Sequence, residues 1–193
     1  MKIAKWTFIS ILLLVIPISA FALFKPIRVI TPEIFGIHCQ NENLCVEDDA
    51  QFTKALDLYN KSKNNLESKL GINLKNPKII FCSTEKCKLT FGLSKAAGYA
   101  FGTFGMIIAP RGWTEYYVTH ELIHHWQSQE IGNIKSLFIE EWIKEGMAYS
   151  LSKDPRKTLS EPFQTYRLKF DNWCKNNCSN NLELAFKSEA TWW

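Results

Sequence analysis

Residues 119–125 read Thr119-His120-Glu121-Leu122-Ile123-His124-His125 and hold three of the four histidines in the chain. They sit in a stretch, 114–129, that is helical in pattern, so His120 and His124, at i and i+4, lie one above the other on one face. From that face two imidazoles can direct nitrogens at one tetrahedral zinc ion. Glu121 is turned about 100° around the axis from His120. It falls beside the metal rather than on it, where a carboxylate can act as general base. Leu122, Ile123 and Trp126 take the other faces and are expected to pack the helix in place. His125 is expected off the zinc face, packed or at the surface, and isolated His38 is given no role.

A catalytic zinc needs a third protein ligand and one open position. Downstream, Glu140-Glu141-Trp142-Ile143-Lys144-Glu145-Gly146-Met147-Ala148-Tyr149 places three carboxylates on a second helical pattern, residues 137–152. With the first motif, this stretch resembles the gluzincin metallopeptidases, in which H-E-x-x-H is followed by W-x-x-E-G-x-A on a second helix. Trp142, Glu145, Gly146 and Ala148 match, and Glu145 follows His124 by 21 positions. The resemblance covers residues 104–152, about a quarter of the chain, and is nearest to the small, peptidase-MA-like members.

That resemblance implies an α+β, zincin-like single domain: a small mixed sheet with an edge strand against the H-E-x-x-H helix, then a mainly helical C-terminal part. It implies one zinc ion held by His120, His124 and Glu145, with Glu121 as the base that activates water for peptide-bond hydrolysis. Glu141, one turn before Glu145 on the same face, is the competing third ligand, with Glu145 then hydrogen-bonding a ligand histidine. Gly146 and Ala148 are small, on this reading, because the two site helices approach closely. In the family the strand before the site helix is an edge strand that pairs with substrate; Gly105, Met106, Ile107, Ile108 and Ala109 occupy that place. Residues 104–108 lack the G-x-M-x-N exopeptidase signature, and no acid is in place for a free amino terminus, a departure from the aminopeptidases. Tyr149, Tyr166 and Arg167 are chemically able to stabilise an oxyanion. A non-catalytic zinc- or peptide-binding envelope protein of the same fold is the alternative.

Around this centre, residues 48–70 repeat apolar positions at threes and fours, with Asp48 or Asp49 as N-cap and Gly71 as the stop, which predicts a long amphipathic helix. Residues 78–82 read as a buried strand, 91–105 as loops and hairpins, 106–109 as an edge strand closed by Pro110, and 163–176 as a last helix. Pro26 and Pro32 make 25–32 an extended connector.

The chain has 193 residues, 46% hydrophobic and 22% charged, with nine Gly and seven Pro, the proportions of a globular domain. Its formal charge of +4 is too small to suggest a nucleic-acid partner. The expected partner is a peptide or protein substrate, met by a monomer. Lys2 and Lys5 precede 19 uncharged, mostly apolar residues, 6–24, and Ala20-Phe21-Ala22 offers a cleavage signal. Residues 1–22 therefore read as a secretory signal, with an uncleaved inner-membrane anchor over 6–24 as the rival, and residues 25–193 as the exported domain. Both readings place the domain outside the cytoplasm, periplasmic or secreted. All six cysteines, Cys39, Cys45, Cys82, Cys87, Cys174 and Cys178, lie in that part. Their separations of 6, 5 and 4 residues make pairing between neighbours the simplest disulfide pattern.

Overall fold

The computed structural model describes Val15, residues 25–178 and residues 181–190. The cleavage signal and all of the apolar run 6–24 except Val15 lie outside the described residues, as do Trp192 and Trp193. Among the described residues no helix is long and apolar enough to cross a membrane.

A five-stranded sheet forms the floor. Its strands are β1 (His38–Cys39), β2 (Leu44–Val46), β3 (Ile79–Phe81), β4 (Gly98–Ala100) and β5 (Met106–Ile108), in the spatial order β1-β2-β3-β5-β4. The three central strands run parallel, and β1 and β4 close the two edges antiparallel. Side chains alternate between its faces. Leu44, Val46, Ile79, Phe81, Met106 and Ile108 enter a large core beneath the long helices. Cys45, Ile80 and Ile107 turn the other way, into a smaller core with Val29, Ile37, Cys82, Cys87, Phe91 and Leu93.

Apolar positions repeating at threes and fours, together with caps, account for the helices. After Asp48, whose side chain accepts from the Ala50 N–H, comes α2 (Phe52–Leu70), which buries Ala55, Tyr59, Ser62 and Leu66 and stops at Gly71 in the left-handed conformation. Helix α4 (Glu115–Ile131) is the centre of the molecule. It is buried on nearly every side, from Val118 to Ile123 and from His125 to Ser128, as expected for Leu122, Ile123 and Trp126. Helix α5 (Glu141–Leu151) lies against it, and α6 (Phe163–Asn177) covers α5 in turn. Gly146 is small on account of α6 and not, as expected, of the other site helix: at the α5–α6 crossing it meets the Tyr166 backbone so closely that a Cβ there would stand 2.3 Å from the carbonyl oxygen. A last helix, α7 (Leu182–Ala190), buries Leu182, Phe186 and Ala190 and sets the Phe186 ring 5.2 Å from that of Trp126.

Two sequence expectations are corrected. Residues 25–32 are not extended: α1 (Lys25–Ile30) is helical and Pro32 opens a 3-10 turn, because proline is tolerated where the first helical N–H groups have no partner anyway. The second concerns the sheet edge. Strand β5 is not an edge strand; β3 flanks it on one side and β4 on the other. Cysteines pair with their neighbours, Cys39–Cys45, Cys82–Cys87 and Cys174–Cys178, which fits an oxidising, extracytoplasmic environment. The short helix α3 (Glu85–Thr90), capped by the Thr84 hydroxyl, carries Cys87.

Candidate metal centre

His120 and His124 project from the middle of α4, and α5 brings Glu145 across to them. The two Nε2 atoms are 3.1 Å apart, and the Glu145 oxygens lie 3.5 Å from His120 Nε2 and 3.4 Å from His124 Nε2. A tetrahedral ion with bonds of about 2.0–2.1 Å needs its ligand atoms about 3.3–3.4 Å apart, so the three positions fit one metal ion. No other group of three such side chains among the described residues is arranged this way. Glu141, the competing ligand, is exposed and pairs with Lys144 at 3.7 Å. Glu140 accepts from the Trp142 indole and pairs with Lys169 at 3.6 Å, away from the centre.

The charges at this centre hold one another. Burial alone would lower the His124 pKa, but the Glu145 carboxylate beside it pushes it up to about 9. Burial alone would raise Glu145, yet the His124 charge and hydrogen bonds from both histidines hold it well below the usual carboxylate range. Without metal the group is thus an ion pair, and a cation bound by the same three atoms would have to displace the proton. Glu121 is different: burial pushes its carboxyl above the usual range, against the pull of His120 and His124. Its side chain lies on Gly98 of β4 and accepts from the Ala100 N–H.

Several contributors were not visible in the sequence. Gln127 Oε1 lies 2.9 Å from His124 Nδ1, while its amide donates to the Lys144 carbonyl at 3.1 Å and reaches Met147 Sδ at 3.2 Å. One side chain therefore holds the His124 ring with Nε2 aimed at the Glu145 carboxylate and ties α4 to α5. Its spacing, three residues after His124, is the signal that could have found it. Arg156 is the second: its guanidinium is gripped by Asp154, with Nε donating to Oδ1 at 2.8 Å, and sits 5.8 Å from the Tyr149 ring. Tyr149 in turn stacks edge-on against His120 at 4.6 Å. His125 proves buried, its ring nitrogens 3.0 Å from the Gly102 and Lys75 carbonyl oxygens, a packed histidine that anchors the β4–β5 turn.

The centre opens into a cleft of about 1160 Å³ bordered by β4, by Tyr149 and Arg156, and by the segment after α4. Of the oxyanion candidates only Tyr149 lines it; Tyr166 does not, and Arg167 donates to the Arg156 and Lys157 carbonyls. The strand residues Gly105, Met106, Ile107, Ile108 and Ala109 are all buried and outside the cleft. Their backbone groups bond on both flanks, as in Cys82 N–H to Ile108 O and Ala109 N–H to Ala97 O, so they have no free edge for a peptide. That edge belongs to β4. Phe101 and Ala97 bond toward β5, so the alternation of an antiparallel pair turns the backbone groups of Gly98 and Ala100 outward; the Ala100 N–H is taken by Glu121, and the Gly98 groups and the Ala100 carbonyl are left on the cleft side.

Fold and centre together define a mixed α+β protein carrying a two-histidine, one-glutamate group able to hold a metal ion. Compared with known proteins, the chain matches no family model, no curated protein and no solved structure.

Proposed function

We propose that this chain is a zincin-like, zinc-dependent peptidase working outside the cytoplasm. The observation that carries the proposal is the pairing of a ligand set of correct spacing with Glu121, a buried carboxylate beside it that is not itself a ligand. Two imidazoles and one carboxylate at tetrahedral spacing favour zinc among the common divalent ions. His120, His124 and Glu145 would hold it, and bound there zinc supplies Lewis-acid activation of water and of a carbonyl.

The chain's own residues do the rest. Glu121, buried at the wall of the cleft and raised in pKa, takes a proton from the attacking water and hands it to the leaving nitrogen. Extended substrate adds as a strand along the outer edge of β4, which takes over the role first expected of residues 105–109. Tyr149, kept protonated by burial and by the Glu145 charge, and Arg156, which donates to it, line the cleft as the donors to a developing oxyanion. A broad peptide library, read by mass spectrometry, tests the proposal. Cleavage by the wild type that vanishes in Glu121→Gln is expected; binding of peptides without cleavage would move the chain to the non-catalytic alternative.

A further inference from the structure

The cleft at the metal centre is unevenly charged. Among the described residues that border it, the only carboxylates are Glu121 and Glu145, both part of the centre, whereas the cations are Lys95, Arg111, Lys135, Lys144 and Arg156. Lys144 pairs with Glu141 at 3.7 Å, and Arg156 is gripped by Asp154. Lys95 and Arg111 make no ion pair among the described residues, and both are exposed. The fold puts these two together. Arg111 donates to the Lys95 carbonyl, and the turn that carries Arg111 is packed on the segment before β4, where Gly112 lies against the Ala97 carbonyl with no room for a Cβ. Ala109 N–H donates to that same carbonyl at 2.8 Å.

Strand β4 and helix α4 run the same way, with Gly98 beside Glu121 and Gly102 beside Ser128. The cleft therefore has a cationic end before β4 and a different end after it, where Phe101, Ile131, Ile134, Leu137 and Ile139 form an apolar border. Lys95 precedes Gly98 by three residues, at most about 11 Å of chain, which an extended peptide spans in about three residues. The Arg111 guanidinium keeps further N–H donors beyond the one on the Lys95 carbonyl, and the Lys95 ammonium adds three. We propose that the substrate brings a carboxylate to Lys95 and Arg111, about three residues from the bond presented to the metal, with its apolar side chains toward the other end. The proposal rests on the peptide-substrate reading and adds the substrate's charge. A cleft whose walls carry one sign of charge concentrates ligands of the other, so acidic peptides are favoured and basic ones turned away.

The test measures peptide binding to the zinc-loaded Glu121→Gln chain by calorimetry. The probes are acetylated, amidated alanine peptides with one leucine and one aspartate three residues apart, in either order, and the same peptides with asparagine or lysine for aspartate. An alanine-leucine peptide with a free C-terminal carboxylate separates a terminal from a side-chain source. The aspartate peptide in one order, or the free carboxylate, should bind about tenfold tighter than its asparagine or amide counterpart, and the advantage should shrink as salt is raised. Lys95→Glu/Arg111→Glu should abolish the advantage with circular dichroism and zinc content unchanged. Lys95→Gln, which breaks no ion pair among the described residues, should reduce it, and Lys175→Glu, on α6 outside the cleft, should not. Equal binding of acidic and neutral peptides, tighter binding of the lysine peptides, or an advantage retained in Lys95→Glu/Arg111→Glu, as when the carboxylate sits on the metal instead, overturns the proposal. The wild-type chain keeps the two readings apart. If it cleaves none of these peptides while the acid preference stands, only the peptidase reading falls; if it cleaves acidic and neutral peptides alike, only the present proposal does.

Discussion

Gly146→Ala should destabilise the protein, although alanine is the better helix former. At an open helical position the exchange gains about 1 kcal/mol. Here the new methyl would meet the Tyr166 carbonyl oxygen at 2.3 Å, its carbon at 2.8 Å and Phe170 Cβ at 3.0 Å. Overpacking of a close crossing costs about 1–3 kcal/mol, and the upper end applies because the obstacle is the α6 backbone, which has no rotamer to change. The net is a loss of about 2 kcal/mol, or a melting temperature lower by about 4–8 °C for a chain of this size. Because Glu145 is the preceding residue, the parting of α5 from α6 also moves a metal ligand, and metal affinity falls with stability. Calorimetry of the metal-free and metal-loaded forms measures both. A variant as stable as wild type, or more so, would refute the close approach of the two helices.

Gln127→Ala should weaken metal binding by about 10–100-fold, measured by competition with a chromophoric chelator, because His124 loses its orienting partner. Gly98→Ala would drive a methyl into Glu121, whose Cγ lies 2.7 Å from the Cβ position, so peptide cleavage should fall sharply while zinc content stays unchanged. In the metal-free protein the raised His124 pKa stabilises fully below its usual 6.5 and ceases to do so as pH rises through about 9, whereas the lowered Glu145 stabilises above its usual 4.5 and ceases to do so in acid. Metal-free stability should therefore be greatest between 4.5 and 6.5, and apparent metal affinity should climb with pH until His124 is neutral near 9; urea unfolding and zinc titration across that range check the two signs.

The two histidines of the candidate group were legible because they are local, two imidazoles on one helical face needing only the 3.6-residue period, whereas Glu145 rather than Glu141 came from the resemblance of its motif, since which carboxylate crosses to them depends on how two helices pack. Locality also made α2, with its caps, and the neighbouring disulfides legible. Pairing order within a sheet is another matter. Residues 106–109 are short, apolar and closed by proline, and such a segment reads alike at an edge or in the interior; only the return of residues 98–100 along its outer side decides. Gln127 and Gly98 escaped for a related reason, since each acts through a partner distant in sequence, the Lys144 carbonyl and the Glu121 side chain, while Arg156 reaches the Tyr149 ring only because the chain turns back after α5. The missed helix α7 did carry a signal, as Leu182, Phe186 and Ala190 recur at steps of four on its buried side.

The central claim is that His120, His124 and Glu145 hold one zinc ion that Glu121 uses but does not bind. Elemental analysis of wild type, Glu121→Gln and Glu145→Gln, each paired with a peptide-cleavage assay, tests it most directly. The account predicts one equivalent of zinc in the first two, little in the third, and cleavage by the wild type alone. Wild-type protein without zinc, or Glu145→Gln with its zinc intact, would contradict it.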